Sequence, residues 1–331
     1  MKTLKKPHIN FGNYGIVYAL ILFWGILILT NANFRGIAFY ENIFRQASFT
    51  AICGVGMTFA IISGVFDLSI ASQVALSSVV LTLILPKCGI VLSTIIILCL
   101  GALMGAINGL LVAKMRIPAF IATLAMQYAY RAAAQMINPS PVVVSNKAFT
   151  GIAVAKVGFL PVPFLIMIVI AMLGTLILRK TRLGRNILAM GNSREAARIS
   201  GINLQRTQIL VFILVGLFTA CNAVMVTSYL GSSNYGMQSG LEFTVVSAVV
   251  LGGTALIGGK GSIFNTVVAA VFLVTITVAL TSFGIDSYTQ GIIQGCILVF
   301  AFAITEIRQQ MENLMVKRRA AKNPAAAKSA A

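Results

Sequence analysis

The chain has 331 residues, of which 58% are hydrophobic and only 10% carry charge. A soluble domain has about 45–50% apolar and about 25% charged residues, so this composition excludes a protein that covers itself with water-facing charge. The formal net charge of +18 has nucleic-acid binding as its bland reading, but a chain this apolar needs lipid as its solvent, and nucleic acid is set aside as a partner.

A membrane-crossing helix needs roughly 20 apolar residues, because each residue rises about 1.5 Å and the hydrocarbon core is about 30 Å thick. In chain order, apolar runs stand at 14–31, 47–63, 68–86, 89–113, 117–137, 159–178, 208–230, 243–257, 263–282 and 288–305. They predict an all-α, polytopic integral membrane protein with about ten transmembrane helices. The first run has a basic flank, as a signal peptide does, but it is long enough to span and nine more follow, so it reads as an uncleaved anchor. The runs at 47–63 and 243–257 are short and end in glycine, which marks them as the places for a broken or re-entrant helix. Transmembrane β-strands would alternate over about ten residues, and these runs do not. The predicted organisation is a tail at 1–13, a membrane unit at 14–306 holding a long loop at 179–207, and a basic tail at 307–331. The last of these, rich in Ala and Lys, is expected to be disordered and to touch anionic membrane lipid.

Charge placement orients the ten runs. With the N-terminus inside, the inner segments hold 19 of the 25 Lys and Arg residues and the outer segments hold 5 (Arg35, Arg45, Lys87, Lys147, Lys156). Arg131 falls within a run. Lys and Arg collect on the cytoplasmic side, so both termini and the 179–207 loop are expected there.

Catalytic chemistry is sparse. The only histidine is His8, in the N-terminal tail, and the seven acids are Glu41, Asp67, Glu195, Glu242, Asp286, Glu306 and Glu312. No two acids form a buried pair at helical spacing, and the five cysteines contain no CxxC pair. The sequence therefore predicts no catalytic residues, no metal site, no cofactor and no enzyme. It also lacks the intramembrane acid or histidine relay of a proton-coupled pump. The glycine-rich stretch 252–262 imitates a P-loop, but GxxxxGK(S/T) would need Gly at position 254 and Ser or Thr at 261, where Thr254 and Gly261 stand. It reads as a tight turn or a site of close helix packing.

The loop at 179–207 ends in NSREAARISGI, which carries helix punctuation. Asn192 can cap, Glu195 follows three residues later, and Gly201 can close the C-terminus, giving a helix of about eight residues. Such a helix is too short to be stable alone in water. Either a partner packs on it, with Ala196 and Ala197 allowing close approach, or it is a marginal helix in a solvated loop.

This segment resembles the coupling loop of ABC importer permeases, in which an EAA motif followed by glycine meets the ATPase. Three further segments resemble the ribose-type sugar permeases of that class: GMTFAIISGVFDLSIAS at 56–72, IPAFIATLAMQYAYRAAA at 117–134 and AVVLGGTALIGGKGSIFNT at 248–266. Val65, Ala71, Ala132 and Asn265 stand where glycine is usual in that family, and these departures leave the class intact. The resemblance implies a fold similar to the vitamin B12-type importer permeases and a translocation path for a pentose or hexose. The implied partners are an ABC ATPase subunit that binds the ATP, an external solute-binding protein, and a second permease copy, identical or paralogous. It implies ATPase coupling through Asn192, Glu195, Ala196, Ala197, Arg198, Ser200 and Gly201. Candidates for translocation or gating are Gly64, Asp67, Ser69, Arg131, Gly252 and Gly253.

Several positions keep more than one reading. Asp67 and Ser69 can cap the third helix, or they serve gating or a subunit contact. Arg131 either snorkels outward or faces the bundle and meets a carbonyl or carboxylate. Glu242 is a helix-start acid or a docking contact for the binding protein. The outer loop at 138–158 is long enough to fold as a cap. A stand-alone secondary transporter of a small polar solute is the alternative function, since interrupted helices suit that class as well.

Overall fold

A computed structural model describes residues 15–30 and 32–303. The helices are α1 (Gly15–Thr30), α2 (Ile37–Ile62), α3 (Ile70–Ala113), α4 (Ala119–Ile137), α5 (Lys147–Val154), α6 (Val162–Lys180), α7 (Arg182–Asn192), α8 (Arg194–Ile199), α9 (Leu204–Leu230), α10 (Leu241–Leu251), α11 (Ile263–Ser282) and α12 (Ser287–Ala303). Five of them, α2, α3, α6, α9 and α11, are long and apolar enough to cross a membrane, and α1, α10 and α12 are shorter apolar helices. The basic tail and Glu306 and Glu312 lie outside the described residues.

Helix α2 is the core. In its apolar 18-residue stretch 89% of the residues are buried, against 28% in α6, so α2 is wrapped by protein while α6 shows most of its surface outward. Helices α6, α9, α10 and α11 pack around it. Phe59 stacks on Phe218 of α9 with ring centroids 6.4 Å apart. This corrects the expectation of a short helix at 47–63. It starts at Ile37 and runs unbroken to Ile62, because its polar first turns have partners. Glu41 pairs with Lys156, and Arg45 lies over the Tyr229 ring, 5.5 Å from its centroid. The run at 243–257 is interrupted as expected: α10 ends at Leu251 and a turn follows.

Helix α3 is two arms. Gly89 has φ 69° and ψ 178°, outside helical geometry, three residues after Pro86. Ser69 and Asn108 are 39 positions apart yet bonded at 2.8 Å. A straight helix would separate them by roughly 58 Å at 1.5 Å per residue, so the arms fold back on each other at Gly89. The returning arm then runs antiparallel to α9 at very short range. A Cβ on Gly101 would lie 2.4 Å from the Gly216 carbonyl oxygen, and one on Gly105 2.2 Å from that of Phe212. Glycines four apart make a flat strip on one helix face, and backbones approach there through dispersion alone, which suits a helix pair in lipid.

One end of α2 gathers residues 138–158. Asn146 caps α5 by accepting from the Phe149 amide at 3.1 Å. Phe149 is fully buried, and Ser228 of α9 donates to its carbonyl at 2.6 Å. Val142–Val143 pairs antiparallel with Ser232–Ser233. The expected cap therefore has a helix, a strand pair and a buried anchor. The other end of α2, at Ile62, gathers α7 and the turn 252–262.

Candidate functional site

The loop at 179–207 folds as two helices. Its first half, for which no helix is expected from the sequence, is α7. Thr181 caps it, accepting from the Gly184 amide at 3.2 Å, and Gly184, Ile187 and Met190 turn inward. Asn192 is the last residue of α7 and donates to the Leu188 carbonyl at 2.9 Å, so it cannot cap the next helix. The cap is Ser193, extended at φ −159° and ψ 112°, whose hydroxyl accepts from the Ala196 amide at 3.2 Å. Helix α8 consequently has six residues rather than about eight.

Gly201 closes α8 as expected, with φ +79°. Its amide bonds the Arg198 carbonyl and the Ile202 amide bonds that of Ala197, the paired pattern of a Schellman stop. Ala197 alone of the α8 residues is buried; Glu195, Ala196, Arg198, Ile199 and Ser200 face outward. Arg198 bonds Glu195 at 2.7 Å, but both side chains are about two-thirds exposed (69% and 66%), so the pair adds little stability.

Beneath these helices lie two glycine turns. A Cβ on Gly191 would sit 1.8 Å from the Ile62 carbonyl oxygen and 2.4 Å from the Gly259 amide nitrogen. The Gly259 amide donates to the Ile62 carbonyl at 2.8 Å. The end of α7, the end of α2 and the turn 252–262 thus meet at one point. Gly64, at φ +81°, stops α2, with its amide on Ile61 and the Val65 amide on Ala60. Gly252 carries the end of α10 against α11, since a Cβ there would lie 2.8 Å from the Thr266 amide. Gly253, at φ +83°, turns the chain.

Asp67 lies just past the first turn and is fully buried. Its Oδ1 accepts from the Ser69 amide at 2.9 Å and the Ser69 hydroxyl at 2.6 Å. Its Oδ2 accepts from Gln73 at 3.3 Å and Asn108 at 3.2 Å. Tyr130 of α4 donates to the Asn108 carbonyl oxygen at 3.1 Å. Asp67 thus ties both arms of α3, with α4 joined through Asn108. Ser69 is the residue before α3, yet its side chain makes no capping bond; the hydroxyl is committed to Asp67. Gln73, Asn108 and Tyr130 were not singled out from sequence. The available signal was that Gln73 and Asn108 are amides inside otherwise apolar runs.

Toward the opposite end, Arg131 is half-buried and donates through Nη1 to the Tyr235 carbonyl at 2.7 Å. It meets a carbonyl and does not reach away from the bundle. Glu242, in the first turn of α10, is buried and accepts from Gln127 at 2.9 Å. The sequence candidates therefore fall into separate groups, and Arg131 does not meet Asp67. Among the described residues, no three His, Cys, Asp or Glu side chains are grouped so as to hold a metal ion.

Comparison with known proteins bears on this arrangement. The profile of the family described as branched-chain amino acid transport system / permease component matches residues 39–302. The ribose import permease protein RbsC of Escherichia coli K12 is 35% identical over 300 residues, covering 88% of this chain and 92% of its own. The probable ABC transporter permease protein YphD of the same strain is 35% identical over 304 residues, 91% of each chain. The L-arabinose transport system permease protein AraH, also from that strain, is 31% identical over 318 residues, 92% of this chain and 95% of its own. No solved structure gives a significant match. The chain belongs to this permease family and is a multi-pass membrane protein.

Proposed function

Starting from that membership, we propose that the chain is the membrane subunit of a binding-protein-dependent ABC importer that moves a pentose or hexose inward. The observation that carries this is α8: a short helix, capped at both ends, fixed by one buried alanine and otherwise turned outward. A six-residue helix has no stability of its own, so its exposed face fits a partner that packs on it. The partner is the ATPase, which binds the ATP; the chain itself holds no cofactor. Asn192, Glu195, Ala196, Arg198, Ser200 and Gly201 form the docking face, and Ala197 anchors it. The turns at Gly64 and at Gly252 and Gly253, with Asp67 and Ser69, form the gating region next to it.

The remaining features complete the reading. Residues 14–306 form one membrane unit of about ten spans in the B12-type arrangement, with α3 supplying two. The tails at 1–13 and 307–331 lie in the cytoplasm, beside the lipid of a bacterial inner membrane. A second permease copy completes the path, and an external solute-binding protein docks on the end built from residues 138–158 and 231–242. The sugar class rests on the relatives, whose names specify ribose and L-arabinose. Glu195→Lys or Gly201→Trp, assayed for ATPase recruitment to membranes carrying the chain, tests the docking face. Recruitment falls at least about tenfold if a charge on the docking face is reversed or the helix stop is lost. Undiminished recruitment and uptake would remove α8 from that role.

A further inference from the structure

Glu242 is 3% exposed and uses only one of its carboxylate oxygens. Oε1 accepts from Gln127, while Oε2 is buried with no hydrogen-bond partner among the described residues. Neither ion pair found among the described residues involves Glu242. Gln127 and Arg131 stand four residues apart on α4 and so share a face, about 6 Å apart along the axis. Arg131 spends Nη1 on the Tyr235 carbonyl, and its Nη2 is buried without a partner among the described residues. An unused donor and an unused acceptor therefore flank Gln127, and they do not satisfy each other.

The chemistry of what would satisfy both is narrow. A hydroxyl donates one proton and accepts into two lone pairs, so one hydroxyl serves a guanidinium and a carboxylate together. An anion is repelled by Glu242, a cation by Arg131, and an alkyl group answers neither; a water or a zwitterion also serves both, and the sugar permeases among the relatives favour the hydroxyl. The placement points the same way. Helix α4 packs chiefly on α3 and leaves Phe120, Ile121, Tyr128 and Met136 exposed, whereas Gln127 and Arg131 are half-buried, with Gln127 bonded to Glu242 of α10 and Arg131 to the Tyr235 carbonyl before it. Charged groups at membrane depth face a bundle interior or a water-filled path, not lipid.

We propose that Gln127, Arg131 and Glu242 form a sugar-binding station on the translocation path, where a hydroxyl of the solute bridges Arg131 Nη2 to Glu242 Oε2. The station rests on the reading of the chain as a sugar permease. It is selective for neutral polyhydroxylated solutes, and it sits toward the end of the bundle at which the solute arrives.

The test uses the whole assembly, permease with ATPase and binding protein, in proteoliposomes with radiolabelled D-ribose, L-arabinose and D-galactose. Sugar moved per ATP hydrolysed is the readout. Glu242→Gln puts an amide donor where the carboxylate accepted, so this ratio falls at least about tenfold while ATPase stimulation by the loaded binding protein stays within about twofold. Arg131→Gln gives the same split and serves where Glu242→Gln does not accumulate in the membrane. An unchanged ratio in both variants overturns the station, as does parallel loss of transport and ATPase stimulation, which marks a structural role. A wild-type assembly that moves none of the three sugars overturns the underlying sugar reading instead.

Discussion

Among the described residues, Asp67 and Glu242 are the two buried acids, and they are treated in opposite ways. Asp67 receives a backbone amide and three side-chain donors, so both of its oxygens are used. Glu242 receives one side-chain donor and leaves an oxygen empty-handed. Burial of a carboxylate is costly unless hydrogen bonds replace its water. Full replacement at Asp67 makes it a fastener between the arms of α3 and the turn after α2. Replacement at Glu242 is partial, so the cost of its burial is only partly offset, and the proposed sugar station would use the oxygen left over.

Substitutions sharpen that contrast. The largest effect is expected at Asp67→Ala, which strands donors on Ser69, Gln73 and Asn108 and destabilises by about 3 kcal/mol. The thermal midpoint of the detergent-solubilised protein measures it; a midpoint within error of wild type breaks the comparison. Glu242→Ala, by the same measurement, changes stability by less than about 1 kcal/mol, since it removes a carboxylate that is only half-served and strands one neutral donor, on Gln127. Tyr130→Phe removes a bond two steps from Asp67 and costs about 1 kcal/mol, which separates a network from a local pair. Ser193→Ala also costs about 1 kcal/mol through loss of a cap, whereas Asn192→Ala costs less, because Asn192 serves α7 only at its end. Hydrogen exchange of the Ala196 and Ala197 amides reads that difference directly.

The smallest effect is expected at Asp286, in the exposed turn before α12. The Thr289 hydroxyl and the Thr289 and Tyr288 amides hold its carboxyl below the usual carboxylate range. A depressed folded-state value contributes stability that is complete above the ordinary carboxylate value and lost as pH falls through the folded one. The midpoint difference between wild type and Asp286→Asn is therefore expected to shrink on acidification from neutral pH.

Much of the membrane architecture was legible because apolar runs and glycine stops are local signals. The Gly64 and Gly201 stops and the end of α10 before Gly252 and Gly253 follow from residue type alone. What was not legible depended on partners far along the chain. Helix α2 extends to Ile37 because Lys156 and Tyr229 receive Glu41 and Arg45, more than a hundred residues away. Ser193 took the cap from Asn192 because α7, for which no helix is expected from the sequence, had already claimed that residue. The tie from Asp67 to Asn108 was not legible, because Asn108 is 41 positions distant and joins it only when α3 folds back.

The junction of Gly191, Ile62 and Gly259 has a mechanical meaning. Two main-chain segments touch there with less room than a methyl group requires, and the third is bonded to one of them. Close-packed contacts of this kind are stiff and pass on strain instead of absorbing it. The end of α7, which leads directly into α8, thus bears on the innermost helix and on the glycine turn at one point, like a gear train with no backlash. Gly191 is the tooth that meshes, and even alanine in its place would push the wheels apart.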